Sequence, residues 1–122
     1  VADFWHGRPV WEAAAGTAGP GDFLLLLAHN PDYTETLPPG AVDLVLAGHT
    51  HDGQATVFGL WSPFIGIPSR HGQKYRAGVV DNGRTTVLVS GGAGGLIAPM
   101  RYFAPPSVEV VTLRADGQSG RP

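Results

Sequence analysis

Cysteine is absent from the 122 residues of this chain. That excludes a disulfide framework and any thiolate metal site, and it leaves the compartment open. Long apolar runs are missing as well. The longest, Phe23 to Ala28, falls far short of the roughly 20 residues a membrane-spanning helix needs. No Lys/Arg cluster occurs and the net charge is -2, so there is no basic footprint for nucleic acid. Charged residues make up only 15% of the chain, although a hydrophobic content of 43% still marks it as globular. Methionine occurs once, at Met100, and the chain opens on Val1 in what reads as the middle of a protein. The expectation is a fragment whose upstream part could carry a signal or an anchor.

The 18 Gly and 11 Pro are interleaved with short apolar runs, which suggests many turns between strands. Val1 to Phe4 reads as a strand end, and Pro9 to Ala15 (PVWEAAA) as a short helix. Phe23 to Ala28 (FLLLLA) and Ala41 to Ala47 (AVDLVLA) read as strands buried on both faces. Between them, Asp32 followed by Glu35 fits a capping box opening a short helix that Pro38-Pro39-Gly40 ends. Strand, helix and strand together predict an α/β unit with a parallel or mixed sheet. Val57 to Ile67 suits an irregular hairpin or loop. Thr85 to Ser90 and Val108 to Leu113 read as further strands, and the tail from Arg114 to Pro122 is expected to fray. No internal repeat or domain boundary is visible.

Chemistry concentrates at two strand ends. His29 follows the first buried run, and Gly48-His49-Thr50-His51 follows the second. Ligand sites in open α/β sheets form beyond the carboxyl ends of strands. If the two strands run parallel, both histidine groups reach one edge. In an extended segment His49 and His51 would face the same side, with Thr50 turned away. Gly48 would let a metal or substrate approach the backbone. Three neutral imidazoles converging there would suit a divalent metal; otherwise each is an ordinary polar residue at a strand end. His6 and His71 lie in loop-like segments and read as bystanders. The run Gly91 to Gly95 lacks the ending of a phosphate loop and reads as a tight turn. No Gly-x-Ser-x-Gly elbow for a serine nucleophile occurs.

Leu27 to Asp32 (LAHNPD) followed by Val42 to Gln54 (VDLVLAGHTHDGQ) resembles the C-terminal half of the calcineurin-like metallophosphoesterases. The similarity is greatest to a bacterial branch with Gly-His-Thr-His-Gly-Gly-Gln, some of whose members are UDP-2,3-diacylglucosamine pyrophosphatases. Lys74 to Gly78 (KYRAG), Val89 to Gly94 and Pro106 to Val110 continue the resemblance, as does Asp3 to Pro9 (DFWHGRP), so it covers nearly the whole chain. It implies a four-layer αββα sandwich with two divalent metals (Mn, Zn, Fe or similar) at the strand ends. It further implies that His29 and His49 hold one metal and His51 the other. His49 and His51 would then be catalytic, acting on a small phosphorylated substrate: a phosphomonoester, phosphodiester or pyrophosphate. Asn30, Asp52 and Gln54, in the same two motifs, are candidates to support the ligands or meet the substrate.

Two departures from the branch bear on the chemistry. Asp52 replaces a family Gly, in a turn whose left-handed backbone Asp tolerates better than most residues. Its carboxylate could reach a metal or hold an imidazole. Ser90-Gly91-Gly92 stands where relatives often have Ser-Arg-Gly, which removes a cation that could meet substrate. The family's Asp-x-His, Gly-Asp and Gly-Asn-His motifs do not occur in the sequence. Two dications about 4 Å apart repel strongly without an anionic bridge, so this chain alone is expected to have little or no activity. Two other outcomes stay open: a single-zinc module using His29, His49 and His51 with water or Asp52 as fourth ligand, and a homologue that binds no metal.

Overall fold

The computed structural model describes residues 4, 6–64, 68–95 and 99–115. Four short strands form one mixed sheet: β1 (Leu25–Leu27), β2 (Leu44–Ala47), β3 (Gly78–Asp81) and β4 (Thr86–Val89), in the order β1-β2-β4-β3. β1, β2 and β4 are parallel, and β3 closes the edge antiparallel to β4. A five-residue helix, α1 (Trp11–Ala15), precedes the sheet, and 3-10 turns at Pro31–Thr36, His51–Gly53 and Gly72–Tyr75 connect it. The mixed α/β class is as expected, and so is the parallel pairing of the two leucine-rich strands. β3 is an addition: Asn82-Gly83 between two valine-containing runs is a hairpin signal, and Gly83 supplies the positive φ, 77°, that the turn uses.

Alternation gives the sheet two unlike faces. Leu26, Val45 and Val87 lie in register on one face, with Ala47 and Val89 a step further along it. They pack against Tyr33, Leu37, Val42 and Tyr75, which line the only hydrophobic core cluster among the described residues. Burying each such side chain contributes about 1.5–3 kcal/mol. On the opposite face Leu27, Leu46, Leu88 and Val79 form one row across all four strands. Leu27 is 64% and Val79 72% exposed. The expectation that β1 is buried on both faces therefore fails, because no described layer covers that row.

Two further expectations are corrected. Asp32 does not cap the turn after β1; Asn30 does, its Oδ1 accepting from Asp32 N at 2.9 Å. With Pro31 in the first position, the residue before it takes the cap. The buried Asp32 carboxylate instead accepts from Ser69 Oγ at 2.7 Å and Arg70 N at 2.8 Å, anchoring a distant loop. Val108 to Leu113 is not a strand, since no strand of the sheet lies beside it to satisfy its backbone groups. The segment Val1 to Asp3, read as part of a strand end, and the tail beyond 115 lie outside the described residues.

Tyr75 ties the connections together. Fully buried, it donates its hydroxyl proton to Glu35 Oε1 at 2.5 Å and accepts from Asn82 Nδ2 at 2.9 Å. Burial raises the Glu35 pKa, but the hydrogen bonds from Lys74 and Tyr75 outweigh it and leave the carboxyl below its ordinary value. Glu35 therefore contributes stability above the ordinary glutamate range, lost as pH falls through its lowered pKa. Tyr75→Phe is expected to cost about 1–2 kcal/mol at neutral pH. Urea unfolding across pH should show that penalty shrinking in acid, where Glu35 is neutral in both proteins.

Candidate metal-binding site at the strand ends

The parallel pairing of β1 and β2 continues past both strands. Ala28 N donates to Leu46 O at 3.1 Å, and Gly48 N donates to His29 O at 3.0 Å. Two of the candidate ligands thereby arrive side by side. His29 Nε2 lies 3.2 Å from His49 Nδ1, with ring centroids 4.9 Å apart and planes at 71°. Next to them is an open depression of about 290 Å³ lined by Leu27, Ala28, His29, Leu46, Ala47 and Gly48. A Cβ on Gly48 would meet nothing closer than Ser90 O at 4.0 Å, so the protein itself does not require the small residue there.

The loop after His49 is not extended. His49, His51, Asp52 and Gln54 have φ of 69°, 51°, 55° and 56°, all in the left-handed region. The assumption that His49 and His51 share a side as alternate strand residues is therefore corrected, because the backbone reverses between them. Thr50 does turn away: it is buried, and its Oγ1 donates to Arg76 O at 2.7 Å. His51 lies over the glycine run, where a Cβ on Gly94 would sit 3.5 Å from its Cε1. Among the described residues no group of three or more His, Asp or Glu converges on one point. The structure brings together His29 and His49 and leaves His51 apart from such a group.

Asp52 adopts the left-handed backbone expected of it, but its carboxylate accepts from Arg76 Nη1 at 2.5 Å. Burial pushes the Asp52 pKa above its ordinary value, although Arg76 and Arg101 both pull it down. The ion pair thus offsets only part of the desolvation. Gln54 Nε2 donates to Met100 O at 3.0 Å, and Asn30 is fixed as the turn cap. His6 and His71 are exposed, and His71 stands edge-on to Tyr75 at 5.9 Å.

Sequence reasoning passed over Arg101. Its Nε donates to Gly94 O at 2.9 Å, its Nη2 to Gly91 O and Gly94 O at 2.6 and 2.7 Å, and its Nη1 to Ala104 O and His51 O at 3.1 and 3.3 Å. All five guanidinium N–H donors are met by backbone carbonyls. The run Gly91 to Gly95, expected to be a tight turn, wraps this cation. No local signal marks a lone arginine between Met and Tyr for that role.

The sheet presents paired imidazoles beyond its parallel strand ends, the edge at which ligand sites of open α/β sheets form. The chain is 33% identical over 115 residues to an uncharacterized metallophosphoesterase of Bacillus subtilis, YkuE, covering 93% of this chain and 38% of that protein. It is 35% identical over 113 residues to the phosphodiesterase YaeI of Escherichia coli, covering 93% and 39%. An uncharacterized metallophosphoesterase of Helicobacter pylori is 36% identical over 97 residues, covering 78% and 24%. The chain belongs to the calcineurin-like metallophosphoesterases. It spans between 24% and 39% of the length of these relatives. No family model and no solved structure matches it.

Removing Arg76 should leave the Asp52 carboxylate poorly solvated and without its close counter-charge. Arg76→Gln is expected to cost about 1–2 kcal/mol at neutral pH, discounted for the partial exposure of the pair. Because the folded pKa of Asp52 lies above its unfolded value, the folded state takes up a proton first. The penalty should therefore shrink as pH falls toward the ordinary aspartate range, as thermal unfolding across pH would show. Arg101→Lys, which replaces a five-donor fork with a single ammonium, should cost about 2 kcal/mol by chemical denaturation.

Proposed function

We propose that, in the intact protein, this chain supplies His29, His49 and His51 to a dinuclear divalent-metal centre that hydrolyses a small phosphoester. The observation that carries the reading is the facing pair His29 Nε2 and His49 Nδ1, 3.2 Å apart at the ends of adjacent parallel strands. Two nitrogens each about 2.0–2.1 Å from one tetrahedral ion lie about 3.3 Å apart, so the pair fits a shared metal. His51, held by the Arg101-clamped loop, is the ligand assigned to a second ion. Divalent ions at such a site supply Lewis acidity and a nucleophile at neutral pH. The residues of this chain position them: Gly48 leaves the approach open, and Asn30 fixes the backbone after His29.

Relatives named metallophosphoesterase and phosphodiesterase support a hydrolase acting on phosphoesters, by divalent metal chemistry. Monoester, diester and pyrophosphate substrates all fit this chemistry. The isolated chain is inactive in this reading, because no described group of three donors forms and no carboxylate is placed to bridge two ions. The open leucine row of the sheet is where the remainder of the sandwich packs.

The test compares the 122-residue chain with the full-length protein on a chromogenic phosphodiester with manganese, alongside elemental analysis of both. The expected result is turnover only from the full-length protein, two metals per molecule, and loss of metal with a more than about hundredfold fall in activity for His49→Ala. Comparable turnover from the isolated chain would overturn the half-site assignment. One tightly held zinc in the isolated chain, with no hydrolysis by the longer protein, would replace it with a zinc-binding module.

A further inference from the structure

The histidines assigned to the two ions are held by different devices. His29 and His49 are brought together by the continuation of the β1–β2 ladder, through Gly48 N to His29 O at 3.0 Å. His51 lies beyond that ladder, in a loop where His49, His51, Asp52 and Gln54 all have left-handed backbones. Away from glycine that conformation persists only where the surroundings over-determine it. Part of the surroundings is the chain beyond β4. Ser90 N donates to Ala47 O at 2.8 Å, which starts the glycine run alongside the histidine loop. A Cβ on Gly91 would sit 3.1 Å from Asp52 Cβ, and one on Gly94 3.5 Å from His51 Cε1. The backbone of the run therefore lies directly against both residues.

Arg101 fastens the two segments to each other. Its guanidinium donates to His51 O in the histidine loop and to Gly91 O and Gly94 O in the glycine run, on either side of the imidazole contact. The remaining bond goes to Ala104 O, which anchors the cation to its own segment. With every N–H donor engaged by a backbone carbonyl, Arg101 has none left for a phosphoryl oxygen. Its role is therefore structural with respect to substrate and is exerted through His51. Lysine is a poor substitute, because a single ammonium cannot span carbonyls from three segments as the planar fork does.

We infer that Arg101 is a positioning residue for the ion assigned to His51. By tying His51 O to the glycine run it sets where the imidazole stands, and it leaves the ion shared by His29 and His49 to the strand ladder. The inference rests on the dinuclear reading above and adds that the two ions have separable supports. Groups that orient a ligand without touching the metal typically change metal affinity by about 10- to 100-fold. A residue that served folding in general would instead weaken both ions together.

Manganese titration of the full-length protein, followed by electron paramagnetic resonance and elemental analysis, tests this. The wild-type protein is expected to show the exchange-coupled signal of a manganese pair. Arg101→Lys should keep one ion at wild-type affinity, weaken the other by about 10- to 100-fold, and convert the coupled signal to that of an isolated ion. Gly94→Val leaves the guanidinium contacts in place, since all are to backbone oxygens, but crowds the imidazole; it should weaken the same ion. Arg84→Lys controls for general destabilisation. Arg84 Nη1 also donates to a carbonyl, Leu37 O at 3.0 Å, but just before β4 begins, at the end of that strand away from the histidines. This variant should keep both ions and their coupling. Circular dichroism checks that each variant is folded. Both ions held at wild-type affinity by Arg101→Lys or by Gly94→Val, or both weakened equally, would overturn the inference and leave the dinuclear reading standing. A wild-type protein that binds fewer than two ions would overturn that reading and the inference with it.

Discussion

The parallel register of β1 against β2 is the constraint on which the rest of the site depends. It aligns Leu25 with Leu44 and carries the ladder through Gly48 N to His29 O, beyond the last strand residues. Imidazoles twenty residues apart in sequence thereby stand within 3.2 Å. Antiparallel pairing would send the two strand ends to opposite edges of the sheet. A slip of one residue would exchange the buried and open faces of the shifted strand. The packing of Val45 and Val87 against Tyr33, Leu37 and Tyr75 holds the register, so core energetics and site geometry are one problem.

The loop beyond β2 stores conformational cost at its chemical residues. Four non-glycine residues there lie in the left-handed region, and side chains from distant parts of the sequence hold them in place. Arg101 takes the carbonyls of His51, Gly91, Gly94 and Ala104 into one guanidinium, while Arg76 engages Asp52 and Gly59. Gly53 within this loop is obligatory, since a Cβ there would come within 2.4 Å of Ser62. Asp52 connects the loop to Arg76 and not to an imidazole.

Much of this was legible from local pattern, for identifiable reasons. Continuous Leu and Val runs ending in histidine marked two strands and the edge where a ligand would sit, because apolar runs of that length require a sheet and loops diverge where it ends. The missed β3 had its signal in Asn82-Gly83. Val108 to Leu113 misled because strand propensity says nothing about whether a neighbour is available to pair. Asp32 misled because Pro31 moves the cap to Asn30, leaving the carboxylate to anchor Ser69 and Arg70 instead.

By itself the sequence determined the α/β class, the two strand ends and the histidines beyond them. These follow from apolar periodicity and short motifs, which act over a few residues. Only the tertiary structure decided that His29 meets His49 while His51 stands apart over Gly94, that Asp52 pairs with Arg76, and that five N–H donors of Arg101 close around the glycine run. The His29–His49 and His51–Arg101 contacts join residues 20 and 50 positions apart. Their geometry is set by strand register and left-handed loop backbone, and no local composition encodes either.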